Sequence, residues 1–343
     1  TYKVHGDDTE KLSENATEEE SVTGKVDWIA FKNQYFSSVL MAKQPPDEVD
    51  LKSEQEEENC GYLKHYHAQM KAAFDPTGAT ATEFQFFFGP NNYRLLQSMD
   101  DYRLSETEHD LQELVYLGWP IVRWINRYFT LYVFDFFTRM GLPMGIVLLL
   151  ITLLLRVIVY APTRKSYMSS AKMRVLKPKV DAITAKYPKL EDAMKRQQEI
   201  MTLYSQYGVS PMGGCLPMLI QIPVFIALFN VLRSAVELRY APFLWIADLS
   251  EPEGLFASWF PFGGLNLLPV LMAVSTALQS YFTPSTGDKK QQQMMVVMMP
   301  AMMLIMFYSF PSALSLYSVS STHLTLPTIL RVSTSVVSIA LTK

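Results

Sequence analysis

Four windows of the chain are almost wholly apolar, and each is close to the length of a helix that crosses a membrane. A helix rises about 1.5 Å per residue, so roughly 20 apolar residues cross a hydrocarbon layer about 30 Å thick. The pattern therefore predicts four membrane spans separated by polar loops. The windows are residues 142–161, 215–232, 265–282 and 294–310.

Residues 22–101 carry a different pattern, in which aromatic and β-branched residues alternate with polar ones in short runs. The runs KVDWIAFKNQYFSSVLMA and EFQFFFGP are interrupted by the turn-forming strings QPPDE, DPTG and GPNN. Alternation with a period of two predicts strands with one buried face. We therefore expect residues 1–118 to form the carboxy-terminal part of a larger antiparallel β-sandwich. The first twenty residues are polar, and we expect them to be mobile.

Residues 119–140 are predicted to form an amphipathic helix on the membrane surface. Arg123, Asn126, Arg127 and Thr130 share one helical face, and aromatic and aliphatic residues cover the rest. Arginine on one side and aromatic rings on the other are typical of helices at the lipid–water boundary. A helix packed on the β domain is the alternative. The preceding string SETEHDLQEL, from residue 105, predicts a capped helix start.

Charge separates along the chain, although the net charge is only −3. Residues 1–118 hold 10 basic and 23 acidic residues, whereas residues 162–208 hold 10 basic and 4 acidic residues. Basic loops stay on the cytoplasmic side, so 162–208 is predicted to lie inside, and 1–118 and 236–262 outside. The basic loop is rich in helix formers around a YPKLED break, which predicts a helical hairpin. No signal opens the chain, so we expect an earlier anchor span to export the acidic domain.

One arginine inside the first apolar window is the strongest candidate for function. Arg156 has no acidic residue within one helical turn, and a charge in hydrocarbon costs at least about 2.5 to 3.5 kcal/mol. Such a residue lines a watery path, or else its long side chain reaches the cytoplasmic headgroups. Thr152 lies one turn earlier on the same face, and Gln221 adds a polar group in the second window. An isolated Thr or Gln in a span is more often an interhelical hydrogen-bonding residue, so both alternatives remain open.

Sequence motifs of enzymes and metal sites are absent. No histidine occurs between His109 and His323, and the chain has no HExxH pair, GxSxG elbow, P-loop or dinucleotide glycine motif. The two cysteines, Cys60 and Cys215, form no cluster. We therefore predict a protein that is not an enzyme and needs no cofactor or metal.

Several long strings resemble, in order and spacing, the core of the YidC/Oxa/Alb family of membrane-protein insertases. They are YGVSPMGGCLPMLIQIPVFIALFNVL, VELRYAPFLWIADLS, PVLMAV and MMPAMMLIMFYSFPSALSLY, and the resemblance covers residues 119–317. VDWIAFKNQYF and FFFGP resemble the end of the periplasmic domain of the Gram-negative type. The resemblance implies an α-helical polytopic protein of the bacterial inner membrane, with a five-span core over 141–317 after part of a periplasmic β-sandwich.

In this family a span arginine, with a threonine one turn before it, lies in a hydrophilic groove that is closed to the outside. Arg156 and Thr152 match that pair, and with Gln221 and Tyr317 they form the predicted substrate groove. The resemblance implies that the protein assists the insertion, folding and assembly of nascent membrane proteins, alone or with the Sec translocon. It implies no small-molecule substrate.

The basic hairpin is the second predicted site. By its charge it is expected to receive substrates and to bind the ribosome and targeting factors. A solvated surface is the alternative for any single lysine there. The predicted basic face consists of Lys172, Arg174, Lys177 and Lys179.

After Tyr317 the sequence departs from the family. Residues 318–343 are rich in Ser and Thr, contain Pro327 and look like translated adaptor DNA. We therefore predict a non-native tail over 318–343, a disrupted last span and poor packing after about Tyr317.

Three other functions compete with the insertase. A channel or transporter is disfavoured by the lone charge and by the lack of paired, Gly/Pro-broken spans. An intramembrane enzyme is disfavoured by the missing nucleophile and base. A purely structural translocon subunit needs the same spans and stays open.

Overall fold

The computed structural model describes residues 1–57, 60–102, 108–187, 192–209, 216–255, 264–282 and 289–325. The chain divides into two compact units. The β unit is Thr1–Tyr116 with Ser234–Val236, and the helical unit is Leu117–Arg233 with Glu237–Lys343. A strand-rich region followed by a helical region confirms the predicted fold class.

The strands of the β unit form two antiparallel sheets, as the alternating pattern predicted. They are β1 (Tyr2–Val4), β2 (Thr9–Glu10), β3 (Glu18–Thr23), β4 (Val26–Lys32), β5 (Phe36–Ala42), β6 (Glu48–Gln55), β7 (Lys64–Met70) and β8 (Phe84–Pro90). A five-stranded sheet has the order β2-β1-β4-β5-β8, and a three-stranded sheet has the order β3-β6-β7.

The two sheets share an apolar core. Tyr2 and Ile29, which are paired across β1 and β4, pack with Val22, Val49 and Leu51 from the three-stranded sheet. The expectation that the polar first twenty residues are mobile is wrong, because β1, β2 and the start of β3 lie there. Two apolar side chains around one lysine are enough to hold β1 against the longer β4, so few hydrophobic residues mark the strand.

The opposite face of the five-stranded sheet binds the segment before the helical unit. The indole nitrogen of Trp28, a residue 1% exposed, donates a hydrogen bond of 2.7 Å to the carbonyl of His109. Lys3 Nζ lies 3.0 Å from Asp110 and 3.1 Å from Glu113. The capped helix predicted from residue 105 is wrong over 108–114, where only the 3₁₀ turn Leu111–Leu114 forms; residues 103–107 lie outside the described residues. Both nearby carboxylates bind Lys3, and Asp110 makes no cap.

Helices make up the second unit. After a short helix α1 (Tyr93–Ser98) in the β unit, they are α2 (Pro120–Ile125), α3 (Leu131–Arg139), α4 (Met144–Lys186), α5 (Ala193–Gln206), α6 (Leu216–Ser234), α7 (Leu267–Phe282), α8 (Lys289–Tyr308) and α9 (312–325). A π-helical turn, Asn126–Thr130, joins α2 to α3. In the described part of the chain, no helix is both long enough and apolar enough to cross a membrane.

The basic loop folds as the predicted helical hairpin. Helix α4 is 43 residues long and runs from the first apolar window into the loop without a break at 162. Its second half packs against α5 through Met173, Leu176 and Val180 on one side and Ile200 and Tyr204 on the other. The first window and the first hairpin helix are therefore one helix, and it continues through Pro162 and Pro178.

The amphipathic helix differs from its prediction in the direction of its faces. Arg123 and Arg127 are exposed, but Asn126 is fully buried and Thr130 is 2% exposed. Asn126 Nδ2 donates a hydrogen bond of 3.0 Å to the carbonyl of Leu117. The prediction that these four residues share one polar face is wrong, because the π turn changes the number of residues per turn. The exposed stripe is apolar and consists of Ile121, Trp124, Tyr128, Tyr132 and Phe136.

The chain does not lose its packing directly after Tyr317. Helix α9 continues through 325, and Val319, Ser321 and Thr325 are buried. The prediction of poor packing is wrong for residues 318–325. Hydroxyl side chains fit a buried helix because they can donate to a carbonyl of the preceding turn, as Thr322 does to Ser318 at 2.9 Å. Residues 326–343 lie outside the described residues, and a non-native tail remains a prediction there.

Candidate functional site

Arg156 lies in the first third of α4 and contacts α9. Its Nη2 donates a hydrogen bond to Ser321 Oγ, a residue 165 positions away that is 3% exposed. Arg156 itself is half-buried. About 12 residues separate it from the start of α4, which corresponds to roughly 18 Å of helix rise. The guanidinium is therefore directed at a neighbouring helix of the same unit.

A second polar contact joins α6 to α9. Gln221 Nε2 donates a hydrogen bond of 2.9 Å to the hydroxyl of Tyr317, which is 4% exposed. Tyr317 and Ser321 are one turn apart on α9, so both face the same side of that helix. The polar side chains of α4, α6 and α9 thus form one group, which we call the Arg156 cluster: Arg156, Gln221, Tyr317 and Ser321.

Thr152 is fully buried one turn before Arg156. Its hydroxyl donates a hydrogen bond of 2.7 Å to the carbonyl of Leu148 on its own helix. The hydroxyl hydrogen is therefore bound within α4, and the buried oxygen can still accept a hydrogen bond.

Sequence reasoning missed Ser321, since it lies in the segment predicted to be non-native. The signal was the four-residue spacing between Tyr317 and Ser321, which places them on one helical face once α9 is extended. It also missed a polar contact between α7 and α9, where Ser275 Oγ lies 3.4 Å from His323 Nδ1. Among the described residues, no three His, Cys, Asp or Glu side chains could hold a metal ion.

The basic hairpin exposes most of its predicted cationic face. Lys172 and Lys177 are exposed, and the side chain of Arg174 lies outside the described residues. Lys179 donates to the hydroxyl of Tyr207, and its Nζ lies 4.5 Å from the centre of that ring. The hairpin therefore presents exposed ammonium groups, with one of them held against an aromatic ring.

An ion pair joins the two helices of the hairpin. Lys186 Nζ lies 2.9 Å from Glu199, and this hydrogen bond raises the pKa of Lys186 and lowers the pKa of Glu199. Both groups are charged at neutral pH, so the pair adds to the apolar contact that joins α4 and α5.

Two known families match the two regions of the chain. The family described as "60Kd inner membrane protein" matches residues 136–336, and the one described as "YidC periplasmic domain" matches residues 1–132. These matches confirm the resemblance read from the sequence strings.

Curated relatives carry one name, "Membrane protein insertase YidC". The Bacteroides fragilis protein is 52% identical over 292 residues, covering 84% of this chain and 47% of the relative. The Phocaeicola vulgatus protein is 51% identical, with coverages of 84% and 47%, and the Porphyromonas gingivalis protein is 35% identical, with 84% and 48%. The chain spans about half the length of the curated relatives it matches.

A solved structure described as an active YidC insertase with its first transmembrane domain resolved is 21% identical, with a TM-score of 0.48. It covers 95% of this chain and 82% of that one, and a likeness of this degree is too weak to argue from. The chain belongs to the YidC family of 60Kd inner membrane proteins, with a YidC periplasmic domain ahead of its helical region.

Proposed function

We propose that this protein is a membrane-protein insertase and chaperone that passes hydrophobic segments of nascent proteins into the bacterial inner membrane. The observation that carries the proposal is the Arg156 cluster, a polar group enclosed by helices whose outer surfaces are apolar. The names of the curated relatives support it.

The helical unit exposes large apolar side chains on α4 and on α6 to α9. Exposing this apolar surface to water costs free energy, whereas lipid solvates it. We therefore place these five helices in the bilayer together as a multi-pass core, although no described helix by itself is both long and apolar enough to cross it. The exposed residues include Val157 and Ile158 of α4, Leu219 of α6, Val274 of α7, Ile305 of α8 and Leu324 of α9.

Arg156 then acts as an acceptor for the polar flank of an incoming segment. An acidic or polar group entering between α4 and α9 exchanges water for the guanidinium, which lowers the cost of moving it into the unit. Gln221, Tyr317 and Thr152 supply further hydrogen-bonding groups along the same path. The apolar part of the segment leaves sideways into lipid, so the process needs no nucleotide and no covalent chemistry.

The hairpin of α4 and α5 faces the cytoplasm in this arrangement, and the β unit faces the periplasm. Positive loops remain inside, and 162–208 is the basic loop. Lys172 and Lys177 are placed to contact ribosomal RNA, targeting factors or substrates, with the Sec translocon as a further partner.

The deciding experiment uses the full-length protein in liposomes and a small single-span substrate with either an acidic or a neutral translocated flank. We expect Arg156→Lys to retain insertion of both substrates. Arg156→Ala should reduce insertion of the acidic-flank substrate about tenfold or more, because the positive charge matters more than the shape of the guanidinium. Insertion is measured as the protease-protected fraction. The matched control is Arg164→Ala, an exposed arginine on the same helix.

Equal insertion by Arg156→Ala and Arg156→Lys with the acidic flank would assign Arg156 to headgroup contact and refute this mechanism. Solute uptake or ion conductance without any substrate protein would favour a channel or transporter instead.

A further inference from the structure

The loop between α6 and α7 is a folded element within the helical unit. Leu238, Ile246 and Leu249 are almost completely buried. Phe243 and Ile246 exchange two backbone hydrogen bonds of 2.9 Å, which closes a tight turn. We call residues 237–255 and 264–266 the outer cap, since they lie at the ends of the helices opposite the hairpin.

The outer cap binds α4 and α9. The ring of Phe243 lies against Gly145, where any Cβ would overlap it. The carbonyl of Glu251 accepts from the backbone nitrogen of Ser312 at 2.8 Å and from its hydroxyl at 2.6 Å. The carbonyl of Leu249 accepts from Ala313 N at 2.9 Å. Two helices are therefore held by close packing and by backbone carbonyls.

The outer cap also binds α8 through Asn266. This side chain accepts from Gly254 N at 2.8 Å and donates to the carbonyl of Tyr308 at 2.6 Å. The hydroxyl of Tyr308 donates to the carbonyl of Gly264 at 2.6 Å. Asn266 precedes α7 and is a residue type that favours the N-cap, but its side chain is committed to these bonds.

Glu253 takes the capping position that Asn266 leaves. Its carboxylate accepts from Leu267 N and Leu268 N, both at 2.7 Å, and from the indole nitrogen of Trp245 at 3.4 Å. A carboxylate at a helix N-terminus is favoured by the free N–H groups and by the helix dipole. Because Glu253 is 14 residues away from Leu267, this bond fixes the start of α7 to the cap.

We propose that Glu253 is the positioning residue of an outer seal, which holds the ends of α4, α7, α8 and α9 together and keeps the Arg156 cluster closed on the cap side. The proposal rests on the insertase function above and deepens it, since a protein that passes segments from the cytoplasm sideways into lipid must stay closed at its outer end. The contacts to α4, α8 and α9 use packing, backbone groups or an amide, and the contact to α7 depends on the Glu253 carboxylate.

Ser315 provides a reporter for the seal. It lies one turn past Ser312 in α9, is 1% exposed, and its hydroxyl makes no hydrogen bond within the described residues. Ser315→Cys therefore replaces a small buried group without removing a bond. Cys60→Ser and Cys215→Ser remove the two native thiols of this chain, and any further cysteine of the full-length protein is replaced in the same way.

The experiment measures how fast a membrane-impermeant maleimide, added on the periplasmic side, labels Cys at position 315 in proteoliposomes without substrate. Glu253→Ala is expected to raise the rate about tenfold or more, because charge-assisted hydrogen bonds at a helix end are lost. The labelling rate of Glu253→Gln should lie between the rates of the parent and of Glu253→Ala, since one amide oxygen can accept only part of the hydrogen bonds that the carboxylate accepts. The control Glu251→Ala keeps its backbone carbonyl and should label as slowly as the parent.

The labelling experiment tests the outer seal separately from the insertase function, because labelling needs no substrate. If Glu253→Ala and Glu253→Gln label no faster than Glu251→Ala, the seal does not depend on Glu253 and the inference is overturned. Fast labelling of all three variants would overturn it as well. Misfolding of Glu253→Ala would leave Glu253→Gln as the test, with protease resistance of α4 as its folding control.

Discussion

The β unit and the helical unit distribute apolar and polar side chains in opposite ways. In the β unit, Tyr2, Trp28 and Met41 are buried, and charged pairs such as Lys43–Glu83 lie at the surface. In the helical unit, Asn126, Thr152 and Ser321 are buried, and large apolar side chains cover the outside of the helices. The difference indicates that the two units are adapted to different solvents.

The two units also satisfy their buried polar groups differently. In the β unit the partners lie far apart in sequence, as with Trp28 and His109 or Ser37 and Asn91. In the helical unit many hydroxyls donate to a carbonyl one turn back, as Thr152, Thr163 and Ser275 do. A helix can satisfy such groups internally, which is what a lipid environment requires.

The largest expected effect comes from removing the buried ring of Trp28 in the β unit. Trp28→Ala should lower the free energy of unfolding of the β unit by about 3 to 5 kcal/mol, because it removes a large buried side chain and its hydrogen bond. Hydrogen exchange of amides in β1 and β4 in the full-length protein measures this change. Trp119→Ala, at a site 64% exposed in the helical unit, is the control and should change exchange little. Equal effects would mean that Trp28 is not a core residue.

The next effect distinguishes the two solvents directly. Ile305, 77% exposed on α8, and Leu63, 90% exposed in the β unit, are both apolar surface residues. Ile305→Asp should cost about 2.5 to 3.5 kcal/mol of membrane integration, whereas Leu63→Asp should change stability by less than about 0.5 kcal/mol. The fraction of protein recovered in carbonate-washed membranes reports the first value. If Ile305→Asp integrates as well as the parent, this face of α8 is not in contact with lipid.

The smallest effect is a pH dependence confined to the β unit. Burial, followed by the hydrogen bond of 2.6 Å to Glu10, raises the pKa of Tyr2 above its ordinary value of 10.0. Because the folded state keeps the proton that the unfolded state loses, this contribution is complete below pH 10 and declines as the pH rises further. Tyr2→Phe should cost about 1 kcal/mol at neutral pH.

The alkaline loss of stability should also be smaller in Tyr2→Phe than in the parent. Urea unfolding between pH 8 and pH 11, with the exposed Tyr62→Phe as the matched control, measures it. Identical alkaline profiles for the parent and Tyr2→Phe would contradict the assignment.

Local patterns were enough to predict much of this architecture. The period of two in β4, β5 and β8 and the apolar windows of α6 and α7 come from neighbouring residues, so the elements could be placed without knowledge of their partners. The family strings around Pro223 and Trp245 were equally visible. The same patterns do not reveal β1, which is marked by only Tyr2 and Val4, or the end of α9, whose serines and threonines lack the apolar pattern of a membrane span.

The order of residues therefore determined the two-part organisation, the helical hairpin, the family and the candidate Arg156. Folding was needed to show that Arg156 meets Ser321, that Gln221 meets Tyr317, that Asn126 turns inward, and that Glu253 caps α7. The physical reason is that periodicity is set within one turn or one pair of strands, whereas these contacts join residues between 9 and 165 positions apart. Their partners are chosen by helix packing and by the π turn, neither of which leaves a repeat in the sequence.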